Sequence, residues 1–187
     1  MRIIGGAKRG LKLADVGKGD AEAHLRPTSD RVREAIFNLL INGGYGNPVT
    51  GARVLDLFAG TGALGLEALS RGAAKVTFVD DGVTARALLR ENIDRMQAMG
   101  VTDLYRRNAC SLGQNRGAGY TLVFLDPPYA KALGEAALAS ALAGGWLAPG
   151  ALIVWEESKM PTLPDGFTLL DQRIYGDTIV TILAAPE

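Results

Sequence analysis

One cysteine and one histidine are all that the 187-residue chain offers of the usual metal-binding and redox side chains. Cys110 has no partner for an internal disulfide, which suits a reducing compartment, and a small buried residue is its ordinary role. Two such residues cannot assemble a Cys/His cluster, so no metal site is expected. No apolar run approaches the ~18–20 residues of a membrane-spanning helix, so no membrane segment is expected. The opening MRIIGGAKRG lacks the apolar stretch of a secretory signal, and the cytoplasm is the expected location. Net charge is missing too: 20 basic and 20 acidic residues sum to zero, so bulk electrostatics announce no nucleic-acid partner. Internal repeats and long linkers are absent as well.

What is present is an apolar content of 48%, enough for one sizeable core, and 24 glycines that fall at turns between apolar runs. The charge is also unevenly spread. Residues 1–35 hold eight Lys/Arg (Arg2, Lys8, Arg9, Lys12, Lys18, Arg26, Arg31, Arg33) against five acids (Asp15, Asp20, Glu22, Asp30, Glu34), which leaves +3 there and −3 elsewhere.

Residues 2–4 and 11–13 read as a small hairpin. After Pro27, Thr28, Ser29 and Asp30 offer capping oxygens, and Val32, Ile36, Leu39 and Leu40 follow at helical spacing. The run GGYGNPVTG, 43–51, ends that helix and marks a boundary between an extension, 1–50, and a main domain, 51–187. Strands are then expected at 53–57, 75–80, 103–107, 121–125 and 151–155, with helices at 62–70, 83–99 and 133–143 between them. Segments 168–175 and 178–183 flank Gly176-Asp177, a two-residue hairpin signal. The alternation predicts a doubly wound parallel sheet closed by an antiparallel hairpin, with its site beyond the carboxyl ends of the strands.

Two motifs stand at those ends. After RVLDL, Gly60, Gly62 and Gly65 have G-x-G-x-x-G spacing, and Asp80 follows Gly60 by 20 residues. Glycines permit the sharp turn and a close ligand approach, and an acid at the end of the second strand suits a ribose diol. Asp56 argues against a pyrophosphate, since like charges repel, and for a cationic amino acid. S-adenosylmethionine has an ammonium, a sulfonium and a ribose, and no phosphate. Asp81 competes with Asp80 for the ribose; Phe58 and Ala59 form an apolar wall. The other motif is Asp126-Pro127-Pro128-Tyr129. A base amino group is a poor nucleophile because its lone pair is delocalised. The Asp126 carboxylate and the Pro127 carbonyl can accept its two N–H bonds and favour a pyramidal nitrogen, while Pro128 stiffens the segment and Tyr129 stacks on the base. A methyltransferase acting on an exocyclic amine is the reading that uses both motifs.

The blocks MRIIGGAKRGLKL, LRPTSDRVREAIFNLL, RVLDLFAGTGALGLEALSRGAAKVTFVD, LVFLDPPYAK, GWLAPGALIVWEESK and YGDTIVTIL resemble the RsmD family nearly end to end. These are bacterial methyltransferases acting on guanine N2 of 16S ribosomal RNA. The resemblance implies a Rossmann-like class I methyltransferase fold with a mostly parallel seven-stranded sheet. It implies Asp126–Tyr129 as the catalytic motif and FAGTG with Asp80 as the cofactor site. It puts Asn108 and Ala109 beside the adenine, where the family usually has Asp before Ala, and Asp80 where it often has Glu. Ribosomal RNA, within a small-subunit particle, becomes the expected partner. Lys8, Arg9, Lys12, Arg26, Arg31 and Arg33 become the candidate phosphate contacts, although Arg31 or Arg33 can instead pair with Glu34 or Asp30. A DNA adenine-N6 methyltransferase would use the same DPPY but has no room for a target-recognition region. An NAD-dependent oxidoreductase lacks a hydride-transfer partner, since His24 lies in the extension.

Overall fold

The computed structural model describes residues 1–15, 28–128 and 131–187. The expected Lys18, His24, Arg26 and Tyr129 features lie outside the described residues. Helix α1 is Asp30–Asn42, followed by β1 (Arg53–Leu57), α2 (Ala63–Ser70), β2 (Lys75–Val79), α3 (Val83–Arg95), β3 (Thr102–Tyr105), β4 (Tyr120–Leu125), α4 (Leu133–Ala143), β5 (Leu147–Glu157), β6 (Thr168–Tyr175) and β7 (Thr178–Ala184). The seven strands run in the order β3-β2-β1-β4-β5-β7-β6. The first five are parallel, and β7 is antiparallel to both β5 and β6. Tyr175 pairs with Thr178, so the hairpin turns on Gly176-Asp177 as expected, with Gly176 at φ 62°.

Parallel strands buried on both faces read as continuous apolar runs, and β1, β2 and β4 do so. Val54, Val76, Phe78, Leu122, Phe124 and Val154 point to one face, where α1, α2 and α3 cover them. Leu55, Leu57, Val79, Val123, Leu125 and Ile153 point to the other, under α4. Ile3 and Leu13 of the N-terminal hairpin and Ile36, Phe37 and Leu40 of α1 lie in the first of these layers. The described parts of the first fifty residues therefore share the main core. The hairpin is minimal: Arg2 bridges Lys12, Ile3 N donates to Leu11 O at 2.9 Å, and Gly10 N donates to Ile3 O at 2.8 Å.

Three elements differ from the pattern-based reading by two residues or more, one of them β3, which ends at Tyr105 and not at 107. The third helix stops at Arg95 because Gln97 takes φ 56°, a left-handed conformation no helix continues through. Strand β5 starts four residues early, at Leu147. The chain order reverses between β1 and β4, which is where a crevice forms. Leu57 pairs with both Val79 and Leu125, and Leu125 pairs with Trp155. The carboxyl ends are thus flush, and the next residues on β4 and β5, Asp126 and Glu156, lie side by side.

Candidate active site

The glycine loop is organised by two of the protein's own carboxylates. Asp80, half-buried, accepts Gly60 N–H on Oδ2 at 2.9 Å and Gly82 N–H on Oδ1 at 2.8 Å. Asp56, 2% exposed, accepts Gly65 N–H at 2.9 Å and so caps the first turn of α2 from the neighbouring strand. A dinucleotide pyrophosphate would need those loop and helix N–H groups for itself. Here carboxylates hold them, which leaves the crevice suited to a cation. Phe58 takes φ 57°, and Ala59 is buried with its N–H on Val79 O at 3.1 Å.

The third glycine and the second serve packing. A Cβ on Gly65 would lie 2.4 Å from Phe78 Cε1 and 2.9 Å from Asp56 Oδ2. A Cβ on Gly62, at φ 80°, would lie 2.2 Å from Leu89 Cδ1. The space beside Gly62 is taken by Leu89 of α3, a packing reason for that glycine beside the expected close ligand approach.

Asn108 caps the short 3-10 turn 109–111, its Oδ1 accepting Cys110 N–H at 2.8 Å. That oxygen keeps a second lone pair. Ala109 is buried, and Asp81 is exposed, with its backbone oxygen held by Arg86 at 2.5 Å.

Across the switch point, Asp126 and Pro128 are half-buried and Pro127 is buried. Thr28, 7% exposed, places its hydroxyl 3.2 Å from Asp126 Oδ2 and 2.9 Å from Glu156 Oε2. Burial, then the Glu156 carboxylate, push the Asp126 carboxyl well above the usual range, against the opposing Thr28 hydrogen bond; Asp56 and Glu157 add to the rise. Burial raises Asp56 to about 8, opposed by Gly65 N–H and helped by Asp80. Burial also raises Asp80, opposed by the two backbone donors. Three carboxyls with raised pKa along one crevice are a mark of a binding or reaction site. Glu156 and Glu157 were not expected there; WEE reads only as a strand end, and nothing local marks it.

The basic candidates divide. Arg9, Lys12 and Arg31 are exposed and Lys8 is half-exposed. Arg33 is 0% exposed, 2.9 Å from Asp30 and 3.6 Å from Glu67, with Arg2 O as a further acceptor. It is a structural ion pair, and the expectation of a phosphate contact there is corrected. Glu67 on α2 is the hub. It accepts Ile4 N–H at 2.9 Å, Gly5 N–H at 2.8 Å and Arg71 Nε–H at 2.7 Å. A lone acid in the apolar helix ALGLEALS was its only signal. Asn92 on α3 does similar work, donating to Thr61 O at 2.9 Å and Ala14 O at 3.0 Å. Among the described residues no group of acids, histidines and cysteines is placed to hold a metal, and no helix is long and apolar enough to cross a membrane.

A protein-family model described as "Conserved hypothetical protein 95" matches residues 1–184. The chain belongs to this family. Ribosomal RNA small subunit methyltransferase D of Escherichia coli K12 is 39% identical over 179 residues, covering 94% of this chain and 85% of that protein. A putative rRNA methyltransferase of Bacillus subtilis 168, YlbH, is 35% identical over 188 residues, 97% of each chain. Among solved structures, the putative methyltransferase yhhF from Escherichia coli superposes with a TM-score of 0.83 at 36% identity, covering 100% of this chain and 98% of that one. The resemblance to the RsmD methyltransferases drawn from the motifs is borne out, and with it the Rossmann-like methyltransferase fold and the assignment as a methyltransferase.

Proposed function

We infer that the protein transfers a methyl group from S-adenosylmethionine to the exocyclic N2 of a guanine in 16S ribosomal RNA, within a small-subunit particle in the cytoplasm. The observation that carries the reading is the use of Asp56 and Asp80 to occupy the N–H groups a phosphate would need. Bound S-adenosylmethionine supplies an electrophilic methyl on a sulfonium. Asp80 would hold the ribose diol with the lone pairs left beyond its two backbone bonds. Asp56 would serve the ammonium end, Phe58 and Ala59 would wall the cofactor, and Asn108 and Ala109 would flank the adenine. Asp126 and the Pro127 carbonyl take the two N–H bonds of the target amine, and Tyr129 stacks on the guanine. Holding the amine in line accounts for most of the rate, since positioning alone supplies ~7–11 kcal/mol in comparable reactions. No strong base is needed, because the nitrogen becomes acidic once alkylated. Residues 1–50 act as the RNA-contacting extension of the 51–187 domain through Lys8, Arg9, Lys12 and Arg31, with Arg26.

Calorimetric titration with S-adenosylmethionine and with NAD tests the cofactor: the first binds and the second does not. Mapping N2-methylguanine in 16S ribosomal RNA from a strain lacking the gene, with and without the gene restored, tests the product. The modification returns with the gene, and its presence in both strains refutes the assignment. Arg9→Ala with Lys12→Ala lowers affinity for RNA of any sequence and flattens the salt slope by ~0.7–0.9 per lost contact. Parent-like binding across the salt series means that these side chains are merely solvated.

A further inference from the structure

The geometry points to Thr28 as a positioning residue for the Asp126 carboxylate, joining the start of the extension's helix to the amine-holding site. The inference rests on the assignment of Asp126 above. Thr28 stands one residue before Ser29, whose hydroxyl caps α1 by accepting Val32 N–H at 3.2 Å. Helix α1 is itself immobilised: Ile36, Phe37 and Leu40 are fully buried, and Arg33 is bound to Asp30 and Glu67. Thr28 is therefore carried on a fixed element. Its hydroxyl, 98 residues away in sequence from Asp126, lies 3.2 Å from Asp126 Oδ2.

A carboxylate on a strand end rotates about two bonds, and a hydrogen bond to one oxygen fixes its plane. With Oδ2 held by Thr28, Oδ1 becomes the acceptor turned to the amine. Glu156 Oε2, 2.9 Å from the same hydroxyl, anchors Thr28 from β5; the hydroxyl has one proton to give, so one of the two carboxyls is protonated and donates to the Thr28 oxygen. The hydroxyl thus ties three elements together at one atom: α1, the end of β4 and the end of β5. Carried on that fixed element, Thr28 sets the carboxyl plane. Sidechain volume alone cannot do this; the role belongs to the hydroxyl.

Two substitutions separate hydroxyl from shape. Thr28→Val keeps the branched volume and loses the oxygen; Thr28→Ser keeps the oxygen. Single-turnover methyl transfer at saturating cofactor and RNA is measured beside S-adenosylmethionine affinity, RNA affinity and melting temperature, with Asp126→Ala as the reference. Thr28→Val slows the saturated rate by about 10- to 100-fold, as losing an outer hydrogen-bond partner of a site ligand does. Cofactor affinity stays within about twofold, and Thr28→Ser recovers most of the rate. Within an Asp126→Ala background, Thr28→Val adds little. If the valine variant does not fold, Thr28→Ala takes its place. A parent-like saturated rate in the valine variant overturns the inference. So does an equal loss in the valine and serine variants, or a loss confined to RNA affinity. An Asp126→Ala protein with an undiminished saturated rate overturns instead the assignment of Asp126 on which this rests.

Discussion

The two ends of the sheet carry opposite charge and treat it differently. At the carboxyl ends stand Asp56, Asp80, Asp126 and Glu156. At the amino ends, Arg53 and Lys75 line a groove of about 640 Å³ with Arg116, Asp103, Tyr120 and Trp146, and Tyr105 and Arg107 reach it from the far end of β3. There the charges are laid over rings or paired. Arg53 sits 5.2 Å from the centre of the Tyr120 ring, Arg107 sits 5.3 Å from that of Tyr105, and Lys75 is 2.7 Å from Asp103. Three of the acids at the opposite end, by contrast, sit with raised pKa among backbone donors and one another. A chain of zero net charge is thus polarised along its strands. One end resolves its charge for stability, and the other holds it in a costly state that a cationic ligand relieves.

The largest break in this contrast comes from Asp126→Ala. Removing a preorganised polar partner lowers the single-turnover rate by ~10²-fold or more, while cofactor affinity changes little. A variant that loses only cofactor affinity refutes the amine-holding role. Tyr129→Phe keeps the stacking ring and much of the activity, whereas Tyr129→Ala does not; equal rates for the two refute the stack.

The next effect lies under the glycine loop. Gly65→Ala forces a methyl against Phe78, Val76 and Asp56, and overpacking of this kind costs ~1–3 kcal/mol. Gly62→Val adds backbone strain at φ 80° to a collision with Leu89, so melting temperature falls before any ligand is considered. Unchanged melting curves refute the packing role of these glycines.

Asp56 gives a smaller, pH-dependent effect. Its folded pKa of about 8 lies above the ordinary carboxyl value, so the folded state keeps a proton that the unfolded state releases. The stability this contributes is full below pH ~4 and is lost as pH rises through about 8. Asp56→Asn removes that slope, worth up to ~1.4 kcal/mol per pH unit, and denaturant titrations across this range measure it. A cationic cofactor favours the ionised form, so affinity rises with pH toward about 8 and binding releases protons. Calorimetry in buffers of different ionisation enthalpy detects that release; its absence separates Asp56 from the cofactor.

The smallest effect is at the amino ends. Arg53→Ala loses the contact with the Tyr120 ring, worth ~0.5–1 kcal/mol, and leaves methyl transfer unchanged. A loss of activity there would erase the division between the two ends.

The parts written locally were legible. FAGTG, DPPY, the strand runs and the Gly176-Asp177 turn each depend on neighbours within a few residues, and the described ones lie within about four residues of where the pattern put them. The parts written across the chain were not. Thr28 meets Glu156 across 128 residues, and Glu67 meets Ile4 across 63. Arg33 carries the same charge as exposed Arg31, and only the turn of α1 decides that one faces Glu67 and the other water. Gly62 was found for its spacing, but its packing against Leu89 on a later helix was not legible.

Glu67 and Asn92 have a consequence for the order in which the molecule is made. The hairpin of residues 2–13 is made before α2 and α3, and the groups that receive it, Glu67 for Ile4 and Gly5 and Asn92 for Ala14, follow 62 to 78 residues later. At ~5–20 residues per second, the emerging hairpin waits several seconds for its dock. Its closure is therefore a late event of biosynthesis, and the basic surface on residues 8–12 takes its final form only once α2 and α3 exist to hold it.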